Sequence, residues 1–296
     1  MARDRRSCHR VRVALAACRR VPDLGEDGPA ILAALDARGI AATPLVWDEP
    51  AIDWSRFDLV VLRTTWDYTE RRGAFLDWAR SIPRLANPYR VVEWNTDKNY
   101  LADLAASGVA TIPTTWCRPG EPVELPPGEL VVKPSVGAGA RHAGRYGPRD
   151  KAAARDHVAR LLAEGRTVMV QPYLAQIQGP GERGLVYLGD CYSHTITKPA
   201  ILATRGPYAE GRLDWNAAVA TARPTEQERA FAEAVLDAVP AGRENLLYAR
   251  VDIVPDEAGN PLLIELEATE PALYLGHAPG SAAKFANAIV AWLRRA

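Results

Sequence analysis

The chain has 296 residues, of which 48% are hydrophobic and 24% charged, with 36 basic and 36 acidic side chains. This length exceeds one small core and predicts two or three compact units, and the composition excludes a disordered chain. A formal net charge of zero provides no electrostatic footprint for nucleic acid. We therefore expect an ordinary globular protein that binds neither DNA nor RNA.

The N-terminus begins with a basic stretch and then turns apolar, which resembles a signal peptide with a lipoprotein box at residues 15–18. The apolar run from Val13 is too short for such a peptide, so we expect a first β-strand behind a basic tail. No segment approaches the roughly 20 apolar residues of a membrane span. The four cysteines form no C-x-x-C pair. These features predict a cytoplasmic protein with no membrane anchor, disulfide framework or structural zinc.

Strand and helix patterns alternate over the first ninety or so residues. We predict strands at VRVALAA, IAATPLVW and FDLVVLRTTWDY, and helices at DGPAILAALDARG and RRGAFLDWARSI. Apolar strands that alternate with helices predict an open α/β sheet with helices on its faces. A polar, proline-bearing segment follows and predicts a domain boundary near Val92.

The rest of the chain predicts two further units. The first contains the helix DKNYLADLAASG, the strand ELVVKP, a glycine-rich turn and the helix RDKAAARDHVARLLAEG. The second contains the hairpin LVYLGDCYSHTIT, the helix TEQERAFAEAVLDAV, two acidic strands and the closing helix SAAKFANAIVAWLRRA. We therefore divide the chain into residues 1–92, 93–170 and 171–296.

The two acidic strands carry charged side chains at positions that alternate with apolar ones. Arg250 and Asp252 share one face of LYARVDIV, and Glu265 and Glu267 share one face of PLLIELEA. The opposite face of the second strand takes its apolar side chains: Leu262, Ile264 and Leu266. The turn PDEAGNP predicts a hairpin that brings Asp252 alongside Glu265.

Carboxylates without nearby His or Cys suit Mg²⁺, with Mn²⁺ as an alternative, and Arg250 suits an anion such as a terminal phosphate. An ordinary ion pair on a solvent-facing sheet edge explains the same residues equally well.

Three weaker patterns precede this hairpin. Lys133 ends an apolar strand before the loop SVGAGAR, whose glycines would let backbone N–H groups close on phosphate. A plain glycine-rich hairpin is the alternative. Lys98 lies near a helix start in NTDKNYL, and VMVQPYL runs from a strand into Gln171, where a hinge could read an adenine edge. Each pattern is weak alone, and their order along the chain gives them weight.

That order resembles the ATP-grasp superfamily, in particular the branch around glutathione synthetase and the ribosomal-protein glutamate ligases. The resemblance covers the chain from about Asn95 onward. It implies an ATP-grasp fold with an N-terminal pre-ATP-grasp α/β sheet, a small central lid unit and a C-terminal antiparallel-sheet unit. It also implies ATP and Mg²⁺ as cofactors. The implied reaction phosphorylates a substrate carboxylate, and a nitrogen then attacks the acyl phosphate.

The resemblance also implies roles for individual side chains. Asp252, Glu265 and Glu267 would bind magnesium, although Glu267 stands where the family usually has asparagine. Arg250 and Lys198 would act in catalysis. ATP would be bound by a larger set, namely Lys98, Lys133, Ser135, Gly137, Ala138, Gly139, Ala140, Gln171, Pro172, Tyr173, Leu174 and Glu182.

Three stretches, LRTTWDY, GERGLVYLGDCYSHTITKPA and ELEATEPALYL, are similar to the group that includes the O-ureido-D-serine cyclo-ligases of D-cycloserine biosynthesis. This similarity implies ring closure within one small amino-acid-like substrate. The residues implied to contact that substrate are Arg63, Asp67, His194 and Glu270. Three alternatives stay open: a two-substrate carboxylate–amine ligase, a non-catalytic nucleotide-binding module and, last, a nicotinamide-dependent oxidoreductase. The sequence also leaves a homodimer open.

Overall fold

The computed structural model describes residues 10–179, 181–208 and 218–295, which belong to two compact units. The first unit comprises the chain up to Tyr89 together with the segment from Glu270 onward. The second unit comprises Arg90–Thr269. The C-terminal segment therefore groups with the N-terminal sheet, whereas the sequence placed it in residues 171–296. The predicted division at residue 170 stays a prediction.

The first unit contains a four-stranded parallel sheet with strand order β2-β1-β3-β4. Its strands are β1 (Arg12–Ala17), β2 (Ala41–Val46), β3 (Leu59–Thr64) and β4 (Leu85–Ala86). Its helices are α1 (Gly28–Asp36), α2 (Arg72–Ser81) and, from the C-terminal segment, α7 (Ser281–Leu293). The predicted open α/β sheet is confirmed, and so is the first strand. The predicted basic tail lies outside the described residues.

The central strands explain why this sheet forms. All six residues of β3 are buried, and so are the last five of β1, whereas the edge strand β2 is half-buried. Strands that are apolar on both faces need cover on both faces, which βαβ crossovers provide. In parallel sheets of this kind the carboxyl ends of the strands are where ligands bind.

In the described part of the chain, the second unit contains two five-stranded sheets. The first of them consists of short strands. This sheet has the order β11-β7-β6-β8-β5, with all neighbours antiparallel. Its strands are β5 (Thr115–Cys117), β6 (Leu130–Pro134), β7 (Gly144–Tyr146), β8 (Val168–Pro172) and β11 (Gly206–Pro207). Helix α5 (Lys151–Ala163) packs its buried side chains into the same core as this sheet.

The second sheet of this unit is antiparallel and has the order β12-β10-β9-β13-β14. Its strands are β9 (Glu182–Leu188), β10 (Cys191–Lys198), β12 (Ala220–Ala222), β13 (Tyr248–Pro255) and β14 (Pro261–Glu267). The helices α3 (Tyr89–Asn95), α4 (Tyr100–Ala106) and α6 (Glu226–Asp237) also belong to this part of the chain. Helix α3 was not predicted, because its segment follows a proline and has mixed polarity. The sequence also predicts a loop over KPAILATRGPYAEGRLDW, and residues 209–215 of that stretch lie outside the described residues.

Among the described residues, no helix has both the length and the apolar character needed to cross a bilayer.

Candidate functional site

The acidic strands β13 and β14 pair as the sequence predicts. Asp252 lies opposite Glu265, and Arg250 lies opposite Glu267. On β13 the apolar side chains between these positions enter the hydrophobic core, as the alternation predicts. The hairpin therefore gathers three carboxylates and one guanidinium on one face of the sheet.

The apolar alternation predicted for β14 is wrong at Leu262 and Ile264, which are half-buried, because Leu263 is buried in their place. A register shift separates the pair Asp252–Glu265 from the pair Ile253–Leu263, so Ile264 is bulged. Leu263 and Leu266 consequently share the hydrophobic core, while Ile264 is only half-buried. A bulge lets two residues oppose one on the partner strand and re-aims the side chains beyond it. The bulge lets Leu263 enter the core together with Leu266, while Glu265 and Glu267 lie on the face that carries Asp252.

Asp252 is the most deeply buried carboxylate of the set, with 1% of its surface exposed. The Arg250 guanidinium donates to both of its oxygens, each at 2.8 Å, and the Lys198 ammonium donates to one of them at 2.8 Å. Burial alone would raise the pKa of Asp252, but Arg250 and Lys198 outweigh it and hold that pKa well below its usual range. Asp252 is therefore ionised at every physiological pH.

Two glutamates contact the two cations that hold Asp252. Glu267 is in contact with the Arg250 guanidinium, and Glu182 is in contact with the Lys198 ammonium. Burial raises the pKa of Glu182 to about 7 and that of Glu267 to about 7, against the opposing effect of the neighbouring cation. The pKa of Lys198 is raised because its two carboxylates outweigh the effects of burial and Arg250. The resemblance implies that Glu182 binds ATP, and its contact in the structure is with the Lys198 ammonium.

The two predicted phosphate lysines lie near Glu265. The Lys98 Nζ is 2.9 Å from a Glu265 oxygen and donates to the Gly137 carbonyl at 2.6 Å. Burial lowers the pKa of Lys133, and the charge of Glu265 partly offsets that effect while the charge of Lys98 adds to it. Lys98, Lys133 and Glu265 therefore form one electrostatic cluster on the side of the predicted metal residues.

The glycine-rich loop begins at Ser135, which is 2% exposed. Its carbonyl accepts from the Lys98 backbone N–H at 2.9 Å, so the loop and Lys98 are tied together. Gly139 has φ 61°, a left-handed value that glycine adopts without steric cost. Ala140 has φ 56°, a value that is uncommon for a side chain with a Cβ. The turn from Ala138 closes with a hydrogen bond from Arg141 N to Ala138 O at 3.3 Å.

The predicted adenine hinge follows strand β8. Gln171 is 3% exposed, and its side chain donates to the Thr114 hydroxyl at 2.8 Å. Pro172 ends the strand, and the Tyr173 N–H donates to the Glu129 carbonyl at 2.8 Å. Leu174 is extended and precedes a short 3₁₀ turn. The side chain of Gln171 is thus held within the protein, so a reading of adenine here would use the backbone, as the sequence predicts.

Of the four predicted substrate residues, three belong to the first unit, and Arg63 and Glu270 are the two that adjoin its C-terminal segment. Arg63 is 2% exposed at the carboxyl end of β3, where its guanidinium donates to the Pro271 carbonyl at 2.8 Å. Its charge also lies 5.5 Å from the centre of the Phe285 ring. The backbone carbonyl of Glu270 accepts from the Trp66 indole at 3.0 Å.

The other two predicted substrate residues have protein partners as well. Asp67, in the first unit, accepts from the Trp47 indole at 2.8 Å and from Arg71 at 3.3 Å, one contact on each oxygen. His194, on β10 in the second unit, has its Nδ1 2.9 Å from the Ser193 hydroxyl. Through these contacts Asp67 stabilises the segment that follows β3. The substrate roles of all four residues stay predictions.

The three carboxylates of β13 and β14 fit magnesium, because carboxylate oxygens are the type of ligand atom that this ion prefers. Glu265 and Glu267 keep 26% and 24% of their side chains exposed. Asp252, in contrast, is closed in by Arg250 and Lys198. Within the three described ranges, no group of three His, Cys, Asp or Glu side chains is arranged to hold a metal as it stands. The assignment of these three carboxylates as magnesium ligands therefore stays a prediction.

Sequence reasoning missed three residues that shape this site. Asn95 and Tyr100 hydrogen-bond the backbone of β14, and Gly184 lies beneath Asp252 on β9. A glycine inside a strand signals the close approach of another group, so GERGLVYL carried a usable signal for Gly184. Nothing local marked the partners of Asn95 and Tyr100, which lie more than 160 positions away.

Two sequence comparisons find the same group of relatives. A family model for the N-terminal domain of D-cycloserine synthetase DcsG matches residues 13–87. Over 284 residues the chain is 37% identical to the cycloserine biosynthesis protein DcsG of Streptomyces lavendulae, covering 90% of this chain and 94% of that protein.

Solved structures give the same result. The crystal structure of D-cycloserine synthetase DcsG superimposes with a TM-score of 0.86 at 35% identity, covering 95% of this chain and 99% of that one. D-alanine–D-alanine ligase from Bacillus anthracis, complexed with ATP, gives a TM-score of 0.69 at 16% identity, covering 96% and 98%. At that identity the second match shows the fold alone, and together the two confirm the predicted ATP-grasp fold.

Proposed function

Because the chain belongs to the DcsG family of ATP-grasp ligases, we propose that it closes the ring of O-ureido-D-serine to give D-cycloserine. ATP-grasp ligases of this family are ADP-forming enzymes that use ATP and Mg²⁺ to make a C–N bond. In the proposed reaction a carboxylate oxygen attacks the γ-phosphorus of ATP, and ADP leaves. The oxygen-bound nitrogen of the same molecule then attacks the acyl phosphate, and inorganic phosphate leaves. Water must also remove the carbamoyl group from that nitrogen, which releases CO2 and ammonia and completes D-cycloserine.

One observation carries the proposal: Lys98 and Arg250 lie against Glu265 and Glu267, which neighbour one another on β14. Asp252, Glu265 and Glu267 would hold Mg²⁺, which when bound would neutralise charge on the phosphates during transfer. Lys98 and Lys133 would bind phosphate oxygens.

Arg250 would stabilise the phosphoryl group in transit, assisted by Lys198 at its side. Residues 135–140 would cover the phosphates and keep water from the acyl phosphate. The peptide groups of residues 171–174 would contact the adenine. These assignments extend the family's chemistry to this chain residue by residue.

The proposed partners are ATP and one small amino-acid-like substrate, encountered in the cytoplasm. The balanced formal charge supports a protein that uses neither nucleic acid nor an anionic membrane surface. A homodimer stays a prediction of the sequence.

The experiment supplies the purified protein with ATP, Mg²⁺ and O-ureido-D-serine as the sole organic substrate. We expect one ADP for each D-cycloserine formed. ADP release that begins only when a second amine is added would instead identify a two-substrate ligase. Nucleotide binding without ADP release, across a panel of substrates, would identify a non-catalytic module.

A pair of charge-conserving variants tests the site within the same assay. Arg250→Lys keeps the charge but loses the fork that contacts Asp252 and Glu267. We expect kcat to fall by about 10²-fold, the effect of losing one stabilising donor at a developing charge. Arg160→Lys makes the same change at a side chain that is 51% exposed on α5 and should leave kcat unchanged. Equal rates for both variants would remove Arg250 from the mechanism.

A further inference from the structure

The outer edge of β14 is completed by side chains rather than by another strand. In the described part of the chain, β14 is the last strand of its sheet. Near its start, Leu263 pairs with the loop before β5, donating to the Ala110 carbonyl at 2.9 Å. Beyond the bulge, the outward backbone groups of Leu266 and Ala268 are met instead by the side chains of Asn95 and Tyr100.

The Asn95 carboxamide acts as a substitute peptide group. Its Nδ2 donates to the Leu266 carbonyl at 2.7 Å, and its Oδ1 accepts from the Ala268 N–H at 2.8 Å. The same oxygen accepts from the Thr269 hydroxyl at 3.1 Å. A primary amide offers a donor and an acceptor side by side, as a neighbouring strand would. Because Asn95 is only 7% exposed, water does not readily replace these bonds.

Tyr100 completes the edge. Its hydroxyl accepts from the Leu266 N–H at 2.9 Å, and the residue is 2% exposed. Burial and the nearby charge of Glu265 raise the pKa of Tyr100 well above its usual value, so the phenol stays neutral. A neutral hydroxyl beside the carboxylates adds no further negative charge to the site.

Lys98 lies between these two anchors. Residues 95 and 100 are each bonded to β14, and the Lys98 ammonium reaches Glu265 of the same strand at 2.9 Å. The Lys98 backbone is fixed as well, through its bond to Ser135. The segment 95–100 therefore cannot slide along β14 without breaking hydrogen bonds that are buried.

We propose that Asn95 and Tyr100 are positioning residues that set the register of Lys98 against Glu265 and Glu267, and thereby the geometry in which magnesium nucleotide binds. The inference rests on the proposed function only in taking these residues as the nucleotide phosphate site. It holds whichever substrate carboxylate is activated. Removing either side chain leaves backbone groups of β14 without partners, and the strand end is then free to shift.

The test measures binding rather than turnover. Asn95→Ala and Tyr100→Phe are titrated with ADP in the presence of Mg²⁺, and with adenosine, while thermal unfolding is recorded in parallel. We expect affinity for ADP with Mg²⁺ to fall about 10-fold, the equivalent of roughly 1.4 kcal/mol. Affinity for adenosine should stay within twofold, because the adenine hinge lies elsewhere in the fold. Tyr100→Phe removes one oxygen and keeps the ring, so it tests the idea even if Asn95→Ala does not fold.

The matched control is Leu104→Ala. Leu104 is fully buried in α4, one turn beyond Tyr100, and makes its contacts in the hydrophobic core. This variant should lower the unfolding temperature but retain the affinity for ADP with Mg²⁺. If Asn95→Ala and Tyr100→Phe behave like this control, they serve stability alone and the inference is overturned.

The two ideas fail in different ways. A wild-type protein that binds ADP with Mg²⁺ but does not convert O-ureido-D-serine overturns the proposed ring closure. The Asn95 and Tyr100 results are then judged as before, on binding. A wild-type protein that binds no ADP with Mg²⁺ overturns both.

Discussion

Gly184 offers the sharpest test of how tightly the charged face of the second sheet is packed. It lies in the middle strand β9, opposite Ile196 on one side and Asp252 on the other. A Cβ at this position would lie 2.8 Å from the Asp252 Oδ1, 3.0 Å from the Ile196 Cδ1 and 3.1 Å from the Arg250 Cδ. Glycine is what lets Arg250 fold flat against the sheet and meet Asp252.

The loss of stability expected for Gly184→Ala depends on which neighbouring atoms can move away from the new methyl group. The terminal methyl of Ile196 can rotate away, but Asp252 is 1% exposed and held by two cations. Overpacking a close-packed site costs about 1–3 kcal/mol, and replacing a strand glycine regains about 0.5–1 kcal/mol. We expect a net loss of roughly 1–2 kcal/mol, which for a unit of this size lowers the unfolding temperature by about 3–6 °C.

The assay combines thermal unfolding with titration of ADP in the presence of Mg²⁺. Displacing Asp252 moves the Arg250 fork, so affinity should fall together with stability. Gly73→Ala is the matched control, since Gly73 lies exposed in α2 and a Cβ there would meet nothing within 4 Å. Alanine at such a helical position should stabilise by about 0.5–1 kcal/mol and leave binding unchanged.

The reasoning would be refuted by a Gly184→Ala protein that unfolds at the wild-type temperature and binds ADP as tightly. That result would mean that the carboxylate of Asp252 has room to move. The bidentate contact with Arg250 would then not be the geometry on which the site depends.

Two further predictions concern stability. Burial lowers the pKa of His157 to about 4, so as pH falls below about 6.5 the unfolded chain takes up the proton first and stability declines down to about pH 4, by at most ~3 kcal/mol. Denaturant titrations of His157→Gln should show a flatter decline over this range, and an unchanged slope would contradict the assignment. Thr225 and Glu228 form a reciprocal cap on α6, so Thr225→Ala should cost about 1 kcal/mol in the same titrations. Thr225→Ser should lose much less, because serine keeps the capping hydroxyl. An equal loss in both variants would show that the hydroxyl does not stabilise the helix.

The parts of the site that were predicted from sequence depend on local rules. Period-two alternation placed Arg250 and Asp252 on one face, and the turn chemistry of PDEAGNP set the pairing of Asp252 with Glu265. Both rules act over fewer than twenty residues. The order of the lysine, glycine-loop and acidic patterns gave the family, because it requires no knowledge of contacts.

The parts that were missed depend on partners far away in the chain. The bulge at Ile264 is fixed by how Leu263 and Leu266 both enter the core, and single-strand alternation does not carry that information. The helix α3 places Asn95 against a strand 171 positions later. Likewise, the Arg145 guanidinium lies 3.4 Å from the centre of the Tyr173 ring. No local sequence pattern predicts this contact.

The charges of the second unit also determine which substitutions are informative. Four basic side chains lie among four acidic ones, namely Lys98, Lys133, Lys198 and Arg250 among Glu182, Asp252, Glu265 and Glu267. The deepest ion pairs of this group are almost wholly buried. Neutralising one member, as in Asp252→Asn, leaves a buried charge without its counterion and costs several kcal/mol whether or not that residue binds metal. Gly184→Ala and Asn95→Ala leave all eight ionisable side chains in place. A loss of affinity for magnesium nucleotide in those variants can therefore be assigned to geometry, because no ionisable side chain of the site has been replaced.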